Sequence, residues 1–201
     1  RDMAAFKERI AFTWERCVPR TRFEAQAESV LVLPELDDLW QRLASSPRLD
    51  SIAEVGQGLS FAKRGLVNEA RMSGSATPSD VDVPAILEGP GKCGIWELPP
   101  STSLSPTRTP VRPWRKGRYA GSPQVLVNYA PVSRGPWRIK ALIDERGHAV
   151  TNTYTTLRPL ERRVPVAFLW AVLNSPVANA YVYCHARKRH IYDSLIASMP
   201  L

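Results

Sequence analysis

Apolar residues recur at three- and four-residue steps over residues 3–17, where Met3, Phe6, Ile10, Trp14 and Cys17 would line one face of an amphipathic helix. The same spacing returns over 35–44 with Leu36, Leu39, Trp40 and Leu43, and Ser45-Ser46-Pro47 ends that helix. Between them Val30-Leu31-Val32-Leu33 is compatible with a strand before Pro34. Ile52 and Val55 predict a short strand, with Gly56-Gln57-Gly58 as a tight turn after it. Residues 73–84 are rich in Ser, Pro and Asp and read as a loop. Residues 99–113 hold five of the eighteen prolines and read as a long extended connection.

Strand-like runs follow at Gln124–Tyr129 and Trp137–Asp144. The turn Glu145-Arg146-Gly147-His148 leads to a third run, Ala149–Thr156. In the second run, Arg138 and Lys140 alternate with Ile139 and Ala141, giving one basic and one apolar face. From Val166 onward the pattern is helical. The 21 residues Val164–Cys184 carry no charge, a length that could span a bilayer. They contain Pro165, Asn174, Pro176 and Asn179 and have arginines on both flanks, so a buried helical hairpin is the better reading. No internal repeat is visible. The expected fold is α+β: an irregular, mostly antiparallel sheet flanked by N-terminal and C-terminal helices.

Composition adds a field to this outline. The net charge is +8, and it is segregated. Residues 101–163 carry twelve cations, ten of them arginine, against three acids, whereas residues 1–60 carry eight against ten. Such a block attracts polyanions, and the arginine fork suits phosphates and guanine edges better than lysine's point charge. The alternative is a solvated basic surface with no partner. Three scattered cysteines, Cys17, Cys93 and Cys184, argue against a disulfide framework and fit a reducing cytoplasm. The chain starts at Arg1, which suggests a piece of a longer protein.

Several segments could carry chemistry. VGQGLSFAKRG has a Gly-x-Gly but neither the dinucleotide nor the phosphate-loop pattern. It could still offer backbone N–H groups to a phosphate, with Lys63 and Arg64 just beyond; the alternative is an ordinary turn. RTPVRPWRKGRYAGSPQVLVNY interleaves Arg108, Arg112, Arg115, Lys116 and Arg118 with Trp114 and Tyr119, the mixture that neutralises phosphates and packs on sugars or bases. Its alternative is a basic loop that Trp114 anchors to the core. Arg134, Trp137, Arg138 and Lys140 repeat the mixture beside Gly135-Pro136. Arg187-Lys188-Arg189-His190 could grip a phosphate or complement a helix dipole.

Catalytic signals are thin. Cys184-His185 with His190 is a poor zinc pattern, and no nucleophile elbow or Cys/His context is present. The acids Asp37-Asp38 and Asp80/Asp82 lie in polar surroundings. Glu97-Leu98-Pro99-Pro100-Ser101 lacks both the amide or acid and the aromatic of the amino-methyltransferase Pro-Pro loop. No catalytic or metal-binding residue is assigned.

Four segments taken in order resemble one family: LDDLWQRLASSPRLDSIAEVGQGLS, YAGSPQVLVNYAP, the RIKALIDERG hairpin and the close FLWAVLNSPVANAYV…IYDSLIASMPL. Over residues 35–201 this order resembles the C-terminal target-recognition region of adenine-specific DNA methyltransferases of restriction–modification systems. Related modules occur in type I specificity subunits and fused restriction–methylation enzymes. The resemblance implies a division of labour. An upstream Rossmann-like domain binds S-adenosylmethionine and flips the adenine, while the recognition region reads flanking duplex DNA. Residues 1–47 would then be a helical link to a missing catalytic domain, and 48–201 the recognition domain. No cofactor belongs to this chain on that reading. The DNA contacts expected from charge and placement are Lys63, Arg64, Arg112, Trp114, Arg115, Lys116, Arg118, Arg138, Lys140, Arg187, Lys188 and Arg189. A single-stranded nucleic-acid or RNA-binding module stacking bases on Trp114 and Trp137, and a protein-interaction or assembly domain, are the alternatives.

Overall fold

A computed structural model describes residues 36–61, 83–91, 93–104, 111–112, 121–186 and 190–201. The chain divides into Arg1–Glu35 and a compact unit, Leu36–Leu201. The expected helix over 3–17 and strand at 30–33 lie outside the described residues. Within the compact unit the first helix, α1, is Asp37–Arg42. Of its expected apolar face only Trp40 is buried; Leu36 and Leu39 are exposed. Six residues make too short a helix to lay a whole stripe on the core, so one large ring does the docking.

A 3-10 turn, Leu49–Ser51, leads into β1, Ala53–Gln57. Strands β2 (Ser60–Phe61), β3 (Val83–Ile86), β4 (Thr102–Leu104) and β5 (Val111–Arg112) follow. The later strands are β6 (Gln124–Asn128), β7 (Ala141–Asp144), β8 (Ala149–Val150) and β9 (Tyr154–Pro159). Helices α2 (Val166–Leu173), α3 (Pro176–His185) and α4 (Asp193–Ala197) close the chain. The fold is α+β, as the sequence pattern indicates.

The central sheet has the order β1-β9-β6-β7 and is antiparallel throughout. Alternation along β6 gives it two apolar faces. Val125 and Val127 join Ala53, Val55, Leu157 and the helical residues Leu169, Leu173, Ala178, Val182 and Ile196 in the main core. Leu126, Leu142 and Tyr154 point the other way and meet Ile86 and Val150. Those two residues belong to the second sheet, β4-β3-β8, in which β3 and β4 run antiparallel and β3 and β8 parallel. Helices therefore cover one face of the central sheet and the small sheet covers the other. All five β6 residues are buried, its Val125-Leu126-Val127 centre on both faces of the sheet.

Three expectations are corrected. Gly56 and Gln57 are not a turn: both lie in β1, paired with Thr156 and Thr155. Gly58 is required by close packing, because a Cβ there would sit 2.2 Å from the Thr151 carbonyl oxygen. Its N–H donates to the Tyr154 carbonyl and that of Leu59 to Val150, so these amides are engaged within the fold. Residues 83–84, assigned by composition to a loop, begin β3. The run Ala149–Thr156 is divided: β8 joins the second sheet and β9 starts at Tyr154. β7 and β8 consequently do not form a hairpin. The break is built by the buried Asp144. One of its oxygens accepts from the Gly147 N–H (3.1 Å) and faces His148 Nδ1 (2.7 Å). The other accepts from the His148 N–H (2.6 Å) and Gln124 Nε2 (2.8 Å). Gly147, at φ 67°, completes the turn; a Cβ there would strike the Ser122 backbone.

The helical hairpin forms as its polar interruption predicts. Ser175 caps α3 by accepting from the Ala178 N–H, and Pro176 occupies its first turn. Among the described residues, no helix is long and apolar enough to cross a membrane.

Two predictions test this architecture. Removing the Asp144 carboxylate takes away the shared partner of four nitrogen groups, the His148 ring among them, so Asp144→Ala should lower the urea-unfolding free energy by about 3–5 kcal/mol. Tyr154 is fully buried, and its hydroxyl has no hydrogen-bond partner among the described residues. Tyr154→Phe should therefore be neutral or stabilising by about 1 kcal/mol. Burial, with Cys93 and Glu88 nearby, pushes the Tyr154 phenol above its ordinary value. The folded chain thus holds this proton more tightly than the unfolded chain. Stability linked to Tyr154 is full below the ordinary phenol pKa of about 10 and falls as pH rises beyond it. The Phe variant should flatten that alkaline loss in an unfolding series.

Candidate nucleic-acid interface

The segment leading into β7 organises the charged surface. Residues 137–140 were expected to continue the strand, but β7 begins only at Ala141. Their backbone groups are taken by asparagine side chains instead. Asn179 on α3, 2% exposed, accepts through Oδ1 from the N–H groups of both Arg138 and Ile139 at 2.8 Å. Asn128, at the end of β6, accepts from the Lys140 N–H and donates through Nδ2 to the carbonyls of Arg138 (2.8 Å) and Ala130 (2.6 Å). Asn174, at the end of α2, accepts from the Ala141 N–H (3.1 Å) and donates to the Ala141 carbonyl (3.0 Å). Asn179 sits in α3, Asn174 at the C-terminal cap of α2 and Asn128 in the central sheet, so the segment is held from both sides.

Above this base the loop 130–138 closes on itself. The Val132 N–H donates to the Arg138 carbonyl. The Ser133 hydroxyl donates to the Trp137 carbonyl and accepts from the Gly135 N–H. The closed loop presents Val132, Arg134 and Trp137 to solvent, Trp137 with 54% of its surface exposed. The stretch 130–140 contains Arg134, Arg138 and Lys140 and no acid.

Among the expected contact residues, Arg138 and Lys140 face inward. Arg138 Nε donates to the Gly135 carbonyl (3.3 Å), and its guanidinium lies over the Tyr183 ring, 4.9 Å from the centroid. Lys140 Nζ donates to the carbonyls of Gly91 (3.1 Å) and Cys93. These two part-exposed cations brace the surface, while Arg134 is exposed. Arg112 lies in β5 with its backbone paired to Ser60. Lys63, Arg64, Trp114, Arg115, Lys116, Arg118, Arg187, Lys188 and Arg189 lie outside the described residues.

An aromatic cluster adjoins the base of the loop. His190 stacks on Tyr129 (centroids 4.6 Å apart, planes 9° apart), and Tyr192 meets Tyr129 edge-on. The Ile191 N–H donates to the Tyr129 carbonyl at 2.8 Å. Burial, and then the neighbouring Tyr192, raise the Tyr129 phenol above its ordinary value. The cluster anchors residues 190–192, directly after the basic run, to the strand that feeds the loop. His185 is engaged elsewhere, with Nδ1 against the Tyr181 carbonyl (2.9 Å) and its ring stacked on Tyr181 and edge-on to Trp40. Among the described residues, no group of three His, Cys, Asp or Glu side chains could hold a metal ion.

Sequence reasoning ranked Arg138 and Lys140 above Arg134 because alternation promised a solvent-facing basic edge. The signal for the bracing of this segment is the trio Asn128, Asn174 and Asn179, polar residues inside otherwise apolar runs. Asn179→Ala should strip the shared acceptor from two N–H groups. Hydrogen exchange should then show lost protection at the Arg138 and Ile139 amides, with a stability loss of about 2 kcal/mol. Asn179→Asp, which keeps the acceptor, should restore most of that protection.

Comparison with models of known protein families and with curated proteins finds no match to this chain.

Proposed function

We propose that the chain is a double-stranded DNA recognition module, the target-reading part of an adenine-specific DNA methyltransferase of a restriction–modification system. One observation carries this reading: an acid-free loop, fixed at its base by Asn128 and Asn179, holds Arg134 and Trp137 out to solvent. Rigid presentation reduces the entropy lost when such side chains engage a partner. The segregated positive charge of residues 101–163 supplies the long-range attraction. The ordered resemblance of residues 35–201 to target-recognition regions supplies the family context. On this reading methyl transfer and S-adenosylmethionine belong to a catalytic domain upstream, in the cytoplasm, and no residue of this chain is given a role in them.

The test is duplex binding across a salt series. The wild-type chain should show a log–log slope of several units, near −0.9 for each phosphate neutralised. Arg134→Ala should weaken binding and flatten the slope by about 0.9. Arg42→Ala, which removes an exposed cation outside residues 101–163, should leave both close to wild type. Absence of duplex binding at low salt, or an Arg134→Ala variant indistinguishable from wild type, would overturn the proposal.

A further inference from the structure

Trp96 is the most exposed large apolar side chain among the described residues, with 77% of its surface in solvent. Its exposure is not a consequence of looseness. The ring rests against Trp170, centroids 4.3 Å apart and planes tilted by 46°. The Trp170 indole N–H donates to the carbonyl of Ile95, next to Trp96 (3.3 Å). On the other side Lys140 Nζ holds the carbonyls of Gly91 and Cys93. The turn is thus fastened to α2 and to the start of β7, and these fastenings fix the ring while leaving most of it uncovered.

The same lysine links Trp96 to the charged loop. Lys140 lies three residues after Trp137 and reaches the carbonyl of Cys93, three residues before Trp96. One hydrogen-bonded lysine therefore ties together two chain segments that each carry an exposed tryptophan, at 77% and 54%. A fixed, uncovered indole offers what an unstacked nucleobase needs, a flat π-face at low entropic cost. It does not suit a phosphate, because its neighbour Glu97 is acidic and exposed. The attraction for the strand comes from the acid-free 130–140 stretch.

Resting on the DNA-binding reading above, we infer that Trp96, backed by Trp170, is a stacking platform for an unpaired base, so that the module favours locally opened DNA over an intact duplex. Phosphates contact the Arg134 loop, and the base contacts the indole. The two residues then differ in kind: Arg134 sets salt dependence, and Trp96 sets the preference for an open site.

The experiment measures binding of the full chain to three labelled probes: a perfect duplex, the same duplex with a central run of mismatches, and its single strand. Wild type should bind the mismatched duplex more tightly than the perfect one. Trp96→Ala should lose roughly five- to 100-fold on the mismatched and single-stranded probes. Its affinity for the perfect duplex and its salt slope should be those of wild type. Trp96→Phe, which keeps a π-face, should retain most of the preference. Equal losses on all probes, no loss on any, or no wild-type preference for the mismatched duplex would overturn this inference while leaving duplex recognition standing. Failure of wild type to bind any of the three probes would overturn both.

Discussion

Three asparagine side chains determine where the central sheet ends and where the presented loop begins. A strand entering at residue 137 would normally spend its N–H groups on its neighbour. Here Asn179 accepts two of them from the helical side, and Asn128 and Asn174 take up the next. A buried amide group is costly unless it is paired, so the partners of residues 138–141 cannot be exchanged one at a time. The loop geometry, the inward course of Arg138 and Lys140 and the seating of the α2–α3 hairpin follow from this one set of bonds. Asn174 belongs to it twice over, since the same Nδ2 also donates to the Trp170 carbonyl at the end of α2.

The arrangement explains which parts of the fold were legible in the sequence. β6 could be read because its centre, Val125-Leu126-Val127, is a run of β-formers buried on both faces. The break between α2 and α3 could be read because Asn174-Ser175-Pro176 contains a cap and a first-turn proline, signals that act locally. The unpaired stretch 137–140 was not legible. Its alternation is that of a strand, and only the arrival of Asn179, some forty residues later in the chain, diverts its amides. Gly56-Gln57-Gly58 misled for a related reason. Glycine pairs commonly mark turns, yet Gly58 is there so that two backbones can meet at a distance no side chain permits. The division of Ala149–Thr156 between two sheets depends likewise on Asp144 and Gly147, whose partners are set by tertiary structure.

The candidate surface was half visible for an electrostatic reason. Counting cations locates a basic region but does not say which of them meet solvent. A guanidinium or ammonium close to the core finds carbonyl oxygens and aromatic faces there, and Arg138 and Lys140 do so at Gly135, Tyr183, Gly91 and Cys93. Each such cation braces the fold through the donors it directs to these groups. Arg134 differs by position alone: it sits at the tip of a loop whose polar groups close on themselves through Ser133 and Gly135.

The bracing role of Lys140 also bears on why two tryptophans stand in solvent. An exposed indole has no stabilising burial to lose, and in a mobile loop it would collapse onto the nearest apolar surface. The Lys140 bonds to Gly91 and Cys93, with the Trp170 bond to Ile95, oppose that collapse at Trp96. The Ser133 and Asn128 bonds oppose it at Trp137. Hydrogen bonds at the surface thus hold exposed apolar side chains in place. The fold places a set of side-chain to backbone hydrogen bonds around the segments that carry Arg134, Trp137 and Trp96. A surface built only to be wetted would not require such restraint.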